Sequence, residues 1–312
     1  MKKYVIISLT LGPALLVLIG LAFFLVRNVG HPSRTVQSGK LEVVASFYPL
    51  YFFSREICGD KADVTNIVPS GAEPHDYEPT AQDMAKMERC KLIILNGGGL
   101  EAWSDNIRKN IDAKNTTIVV AGEGLTTQQV TEDGKTETDP HVWLAPPLAE
   151  KMVERIAQAF ERADPANKDY YQSNATRLKI KLSDLDGEYS RELSTCKSRN
   201  IITSHAAFGY LATAYGLNQV PIAGLSPDAE PSPRQLADIT KFAKDNNVKY
   251  IFFESLVSPK LSQTIAAEVG AQTLVLNPIE GLSEEEISRG KTYFSVMQDN
   301  LTNLRTALQC TK

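Results

Sequence analysis

Three of the four histidines in this chain, and one glutamate, lie in separate turn-rich segments that each follow a predicted β-strand. These residues are His75, His141, His205 and Glu280. Three imidazole nitrogens and one carboxylate oxygen make a complete tetrahedral shell for zinc. The sequence therefore predicts one transition-metal site, provided that the fold brings the four segments together. The fourth histidine, His31, lies in a polar stretch near the N-terminus and is interpreted as an ordinary linker residue.

Short runs rich in Val, Ile and Leu alternate with helical patterns, and they do so twice along the chain. The predicted strands are 41–47, 64–68, 91–95 and 117–120 in the first half, and 200–203, 219–223, 249–253 and 273–276 in the second. Such alternation is typical of parallel sheets covered by helices. We therefore expect an α/β fold with two lobes, each built on a (β/α)4-type parallel sheet.

A long helix is predicted between the two halves. Leu178, Leu182, Leu185 and Tyr189 recur at intervals of three or four residues, which is the spacing of one buried helix face. A helix of about 28 residues would be about 42 Å long, and it would be a more rigid connector than a loop hinge. The predicted organisation is an N-terminal α/β lobe over 41–165, a connecting helix over 166–195 and a C-terminal α/β lobe over 196–312.

The four candidate ligands all lie beyond the carboxyl ends of predicted strands, where open α/β sheets place their ligands. His75 and His141 come from the first half of the chain, and His205 and Glu280 come from the second. A single loop histidine is usually a surface or capping residue, so none of these positions predicts a metal by itself. Their joint placement predicts a metal site in the cleft between the lobes.

The first 27 residues determine the expected location. Residues 4–26 contain no charged side chain and are long enough to span a bilayer as a helix, with Lys2 and Lys3 before them and Arg27 after them. The positive-inside rule then places the lobes outside the cytoplasm, attached through an uncleaved anchor over 1–27 and a flexible linker over 28–40. The alternative is a cleaved signal peptide, although the apolar run is long for one and no convincing small-x-small cleavage site follows it. A lipid-anchored start is not expected, because no cysteine precedes Cys58.

The charge balance argues against nucleic acid as a partner. The chain carries 33 Lys and Arg against 37 Asp and Glu, and subtracting the three basic residues of 1–27 leaves 30 against 37, a net charge of −7. Binding to phosphates requires a basic face, which this balance does not favour. The length that remains after the linker is sufficient for two domains of ordinary size.

Four cysteines in an exported chain permit three disulfide connectivities. Cys58 and Cys90 each lie between a predicted helix and the next predicted strand, at one edge of the first sheet. Cys196 precedes the first strand of the second half, and Cys310 lies at the end of the last helix. We therefore expect the pairs Cys58–Cys90 and Cys196–Cys310, with free buried thiols as the alternative.

Six motifs together resemble one protein family. They are 71–79 (GAEPHDYEP), 139–144 (DPHVWL), 204–211 (SHAAFGYL), 224–233 (GLSPDAEPSP), 251–260 (IFFESLVSPK) and 276–282 (LNPIEGL). The chain resembles the metal-binding lipoproteins of ATP-binding-cassette (ABC) importers for zinc and manganese, known as cluster A-I or cluster 9 solute-binding proteins, and in particular their zinc branch. The resemblance extends over residues 41–309.

This resemblance implies that His75, His141 and His205 are metal ligands. Manganese members tend to carry a glutamate at the position of His205, so an imidazole there favours zinc. Many relatives supply the fourth ligand as an aspartate at the position of Asn277, which does not apply to this chain, but a zinc subgroup uses the glutamate that matches Glu280. The loop over 122–138 departs from the long, histidine-rich loop of several zinc members, because here it is short, polar and histidine-free.

These observations predict a protein that binds zinc outside the cytoplasm and delivers it to an ABC permease driven by a cytoplasmic ATPase. We expect the protein to be a monomer. We also expect that it is not an enzyme, since four protein ligands leave zinc no open position for a reactive water. Three alternatives remain open: a manganese-binding member of the same family, a zinc-dependent hydrolase with Glu73 as its base, and an adhesin.

Overall fold

The computed structural model describes residues 40–132 and 134–311. The anchor predicted over 1–27, the linker as far as residue 39 and the linker histidine His31 lie outside these residues. Within the described part of the chain, no helix is both long enough and apolar enough to cross a membrane.

Short strands alternate with helices along the chain, as predicted. The strands are β1 (Leu41–Ala45), β2 (Ala62–Asn66), β3 (Leu92–Leu95), β4 (Thr117–Val120), β5 (Gln129–Glu132), β6 (Lys135–Thr138), β7 (Asn200–Thr203), β8 (Asn218–Pro221), β9 (Tyr250–Phe253) and β10 (Gln272–Val275). The helices are α1 (Tyr48–Cys58), α2 (Ala81–Arg89), α3 (Ser104–Asn110), α4 (Pro146–Ala163), α5 (Lys168–Leu193), α6 (Gly209–Tyr215), α7 (Pro233–Asp245), α8 (Lys260–Val269), α9 (Glu284–Ser288) and α10 (Tyr293–Ala307). Single turns of 3₁₀ helix over Val142–Leu144 and Pro165–Asn167 precede α4 and α5.

Two four-stranded parallel sheets form the framework. Their strand orders are β2-β1-β3-β4 and β10-β9-β7-β8. When the strands of each sheet are numbered in chain order and the second sheet is read from β8 to β10, both sheets have the order 2-1-3-4, so the two halves of the chain share one topology. The strand order reverses between β1 and β3 in the first sheet and between β7 and β9 in the second. Doubly wound sheets bind their ligands beside such a reversal. The predicted α/β fold with two parallel-sheet lobes is thereby confirmed.

The helix that links the two halves of the chain, α5, extends over 26 residues and packs against helices of both halves, among them α1 and α10. Its buried face includes Leu178, Leu182 and Leu185, which have the predicted helical spacing. At one end the Asn174 amide donates a hydrogen bond of 2.9 Å to the Ile57 carbonyl, and at the other the Tyr189 hydroxyl donates one of 2.7 Å to the Met297 carbonyl. The connector is therefore fastened to both lobes along its length.

One continuous hydrophobic cluster extends through both lobes. It includes the inner-face residues of the two sheets and large buried side chains from both halves, among them Phe47, Phe53, Trp143, Tyr189 and Tyr293. Alternate strand residues point away from this cluster and form two smaller ones on the outer faces of the sheets, as the two-residue repeat of a strand requires. Residues from Lys40 onward accordingly form one compact unit, and the domain boundaries at 165 and 195 stay a prediction.

The cysteines follow only one of the two expected pairings. Cys196 and Cys310 form a disulfide that joins the start of the second half to the segment that follows α10. The expected pair Cys58–Cys90 is wrong, because both residues are free, buried thiols. Cys58 belongs to the main cluster and Cys90 to the cluster on the opposite face of the first sheet, so the sheet separates their sulfur atoms. A disulfide requires side chains that point towards each other.

The polar loop after β4 contains a hairpin that sequence reasoning missed. β5 and β6 pair antiparallel, with Gln129 opposite Thr138 and Glu132 opposite Lys135. The Asp133-Gly134 dipeptide between them is a common two-residue hairpin sequence, and it was the available signal. The hairpin leads directly into Asp139 and His141, and it therefore lies at the edge of the predicted site.

Candidate metal site

The four predicted ligands converge on one point. His75 follows β2, His141 follows the β5–β6 hairpin, His205 lies two residues after β7 and Glu280 lies five residues after β10. One potential ligand atom from each of the four lies within 4.8 Å of all the others. Because both parallel sheets direct the carboxyl ends of their strands towards the cleft, segments far apart in sequence meet there.

All three imidazoles direct Nε2 towards the same carboxylate oxygen. Glu280 Oε1 lies 3.0 Å from Nε2 of His141, 3.3 Å from that of His205 and 3.4 Å from that of His75. His141 and His205 are fully buried, whereas the His75 side chain is 11 % exposed. Three nitrogens and one oxygen around a buried centre are the donor set of a tetrahedral zinc site.

Two buried carboxylates orient two of the histidines from behind. Asp139 Oδ1 lies 2.7 Å from His141 Nδ1 and also accepts a hydrogen bond of 2.9 Å from the His141 backbone N–H. Glu254 Oε1 lies 2.7 Å from His205 Nδ1. With a proton on each Nδ1, these bonds direct the Nε2 lone pairs towards the centre, as carboxylate–histidine pairs do in metal sites. Sequence reasoning assigned no role to Asp139 or Glu254, although both lie within the quoted motifs.

The carboxylates and the burial of the site act in opposite directions on the imidazoles. Burial alone would lower the pKa of His205, but the negative charges of Glu254 and Glu280 outweigh it and raise that pKa well above its ordinary value. Burial is likewise outweighed at His141, whose pKa is raised by Asp139 and Glu280. At His75 burial outweighs the charge of Glu280, and the pKa is lowered. The metal-free site thus holds protons that a metal ion must displace.

Glu73, the base of the hydrolase alternative, is engaged in the turn that presents His75. In the metal-free protein, burial and the charge of Glu280 raise the pKa of Glu73 to about 9. Its Oε1 accepts a hydrogen bond of 3.2 Å from the His75 backbone N–H, which makes it part of the turn that presents His75. A carboxyl group acts as a general base only in its ionised form, which the metal-free site disfavours at this position.

The turn that presents Glu280 is held by Asn277 and Asn300. The Asn300 amide donates to the Asn277 carbonyl at 2.7 Å, and its own oxygen accepts from the Asn277 backbone N–H at 2.8 Å. Asn277 Oδ1 accepts from the Ile279 N–H at 2.7 Å, and its Nδ2 donates to Ser255 and to Glu286. Both polar atoms of the Asn277 side chain therefore have hydrogen-bond partners.

A cavity of about 410 Å³ connects the site with the surface. It is lined by His75, Gly98, Gly99, Glu137, Thr138, Pro140 and Leu225. His75 is the one candidate ligand in this lining, which agrees with its partial exposure. The rim of this cavity is formed by the glycine turn after β3, which carries Gly98 and Gly99, and by the end of the β5–β6 hairpin at Glu137 and Thr138.

Comparison with known proteins places these features in context. The family model of the periplasmic component A of the zinc-uptake complex, ZnuA, matches residues 43–307. The high-affinity zinc uptake system protein ZnuA of Bacillus subtilis is 41 % identical over 308 residues, which cover 94 % of this chain and 97 % of that protein. The zinc-binding protein AdcA of Streptococcus pyogenes is 35 % identical over 325 residues and 98 % of this chain, but this match spans only 61 % of AdcA.

A solved structure agrees with the fold as well. The Zn(II)-bound ZnuA-like domain of Streptococcus pneumoniae AdcA superposes with a TM-score of 0.75 at 40 % sequence identity. The superposition covers 86 % of this chain and 99 % of that domain.

Proposed function

The chain belongs to the family of ZnuA zinc-uptake components, and from this premise we propose that it captures Zn²⁺ outside the cytoplasm and delivers it to an ABC permease. The observation that carries the proposal is the convergence of three Nε2 atoms on one buried carboxylate oxygen. Zinc is the cargo of such a protein, and the delivery step would be driven by the ATPase on the cytoplasmic side. We further propose that it acts as a monomer.

The proposed ligands are His75, His141, His205 and Glu280. The carboxylate reduces the formal charge of the zinc shell from +2 to +1, and Asp139 and Glu254 lie directly behind two of the histidines. A set dominated by imidazole nitrogen favours zinc over manganese, which prefers carboxylate and water oxygens.

The proposed protein is a carrier without catalytic activity. Four protein ligands complete a tetrahedral shell, whereas catalytic zinc sites keep one position for water. Glu73, the candidate base, also accepts a hydrogen bond from the His75 backbone N–H and is held in the turn before that ligand. Both features support transport over hydrolysis.

Metal binding is tested first with the purified protein. We expect about one equivalent of zinc per chain, retained in the presence of excess Mn²⁺. His75→Ala, His141→Ala, His205→Ala and Glu280→Ala should each weaken zinc binding by more than the roughly 10–100-fold that follows loss of an outer partner. His31→Ala is the matched control, because this histidine lies in the predicted linker, and it should leave Kd unchanged. A protein that takes up no zinc would refute the function, and an unaffected Glu280→Ala would refute the fourth ligand.

For attachment, we propose the uncleaved apolar segment over residues 4–26 as the membrane anchor of an extracytoplasmic protein. The mass of the protein isolated from its native membrane should then include residue 1. A mature chain that begins after Arg27 would instead identify the segment as a cleaved signal.

A further inference from the structure

The turn that carries Glu280 is bonded to the first lobe at both of its ends. The Trp143 indole Nε1 donates a hydrogen bond of 2.7 Å to the Pro278 carbonyl, two residues before Glu280. The Gly71 backbone N–H donates one of 3.1 Å to the Leu282 carbonyl, two residues after it. Glu280 therefore belongs to the second lobe by sequence, but its backbone is fixed relative to the first.

Trp143 itself is held rigidly. It is fully buried and packs edge-on against Phe47, with 4.7 Å between the ring centroids. The Tyr293 hydroxyl donates a hydrogen bond of 2.6 Å to the Trp143 carbonyl. Trp143 also lies two residues after His141, and the two ring centroids are 5.1 Å apart. One side chain thus contacts the segments that carry a ligand from each lobe.

The turn needs such external support because its backbone is strained. Ile279, directly before Glu280, has φ = +59°, in the left-handed region that a β-branched residue rarely adopts. A strained conformation of this kind persists only where the surrounding structure enforces it. Ile279 is fully buried, and the bonds at Pro278 and at Asn277 Oδ1 hold the residues on its N-terminal side.

We propose that Trp143 is a positioning residue for Glu280, which sets the fourth ligand against the first-lobe histidines before zinc arrives. This inference rests on the proposed zinc-binding function. Without the indole N–H, the Pro278 carbonyl would lose this buried hydrogen bond, which is costly for a buried polar group. The turn would then relax, and Glu280 would leave the point on which the three imidazoles converge.

The test is a double-mutant cycle on zinc affinity. Trp143→Phe keeps the aromatic packing but removes the N–H donor, and it should raise Kd about 10-fold, the lower end for loss of an outer-shell partner. In the Glu280→Ala background the same substitution should change Kd by less than about twofold, whereas two independent sites would add and give the 10-fold loss again. Kd is measured by competition with a chromogenic zinc chelator.

The chain offers a matched control in its other tryptophan. Trp103 is 4 % exposed and packs in the cluster on the outer face of the first sheet. Trp103→Phe should lower the free energy of unfolding but leave Kd unchanged. If Trp143→Phe does not fold, Tyr293→Phe replaces it, because that change removes only the hydroxyl that holds the Trp143 carbonyl.

The outcomes separate the two proposals. A wild-type protein that binds no zinc would remove the proposed function and this inference with it. A zinc-binding wild type with an unchanged Kd in Trp143→Phe would overturn the inference alone. So would an equal loss of affinity with and without Glu280, because Trp143 would then act on the fold in general rather than through this ligand.

Discussion

Glu254→Gln is predicted to weaken zinc binding by an amount that increases with pH. Glu254 is 3 % exposed and its Oε1 lies 2.7 Å from His205 Nδ1. Glutamine has nearly the same shape and retains an oxygen that accepts the Nδ1–H bond, so the substitution removes the charge and little else. It therefore isolates the electrostatic contribution of a residue that does not touch the metal.

The geometry gives the magnitude. Across the 2.7 Å hydrogen bond, the imidazole ring and a zinc–nitrogen bond of about 2.1 Å, the carboxylate oxygen lies about 7 Å from a bound zinc ion. At an effective dielectric constant of about 20, a unit charge at that distance stabilises Zn²⁺ by about 5 kcal/mol, and in bulk water by about 1 kcal/mol. The same charge also stabilises the proton that competes with zinc for His205. The two effects oppose each other, and we expect a net loss of about 10-fold in affinity near neutral pH.

The sign of the pH dependence follows from the raised pKa of His205. Below that pKa the metal-free site carries a proton that zinc must displace, so the affinity of the wild type increases with pH until the pKa is passed. In Glu254→Gln the pKa of His205 is lower, and the increase ends at a lower pH. The two affinities therefore approach each other in acid and diverge in base.

Competition titrations from about pH 6 to pH 8.5 measure the difference in zinc affinity between the two proteins. This range extends from just below the ordinary histidine pKa of about 6.5 to well above it. Calorimetry in two buffers with different ionisation enthalpies should also show fewer protons released by the variant. Glu268→Gln is the control, because Glu268 pairs with Lys244 on the exposed face of the second lobe and should not alter Kd. A loss of affinity that stays constant or shrinks as pH rises would refute the proposed opposition of proton and metal.

Further outcomes are expected for stability and for the thiols. Cys196→Ser should lower the free energy of unfolding by about 2–5 kcal/mol in denaturant titrations while Kd for zinc stays the same, because the disulfide precedes β7 and the ligands lie beyond its other end. Zinc at about 1,000 times Kd should stabilise the fold by about 4 kcal/mol, so chelation should lower Tm without loss of the far-UV helix signal. Thiol titration should find two reactive groups only after denaturation, since Cys58 and Cys90 are buried and burial raises the pKa of Cys90 to about 12. A count of one thiol or none in the denatured protein would contradict the free state of this pair.

The sequence predicted the framework because parallel strands leave a strong local signal. β3 reads Leu-Ile-Ile-Leu and is buried throughout, and each such run is followed by a turn that carries polar side chains. The direction of the strands then brings the carboxyl ends together, so the four candidate ligands could be grouped without knowledge of any contact. This reasoning depends on strand direction and order alone.

The remaining features depend on contacts between distant residues, which local patterns do not contain. The Glu254–His205 bond spans 49 positions and the Trp143–Pro278 bond spans 135. The pairing of Cys58 with Cys90 failed for a related reason. Chain position placed both at one edge of the sheet, but only the packing decides which face each sulfur occupies.

The continuous core bears on how zinc enters and leaves. Phe47, Trp143 and Tyr293 are fully buried in the cluster that extends through both lobes, and the Trp143 ring lies 5.1 Å from that of His141. Hinge opening would expose such side chains, each of which contributes about 1.5–3 kcal/mol through its burial. A path past His75 exposes none of them, because this ligand already reaches the cavity at the surface. We therefore expect zinc to exchange past His75, at the rim formed by the glycine turn and the β5–β6 hairpin, rather than through a hinge opening of the lobes.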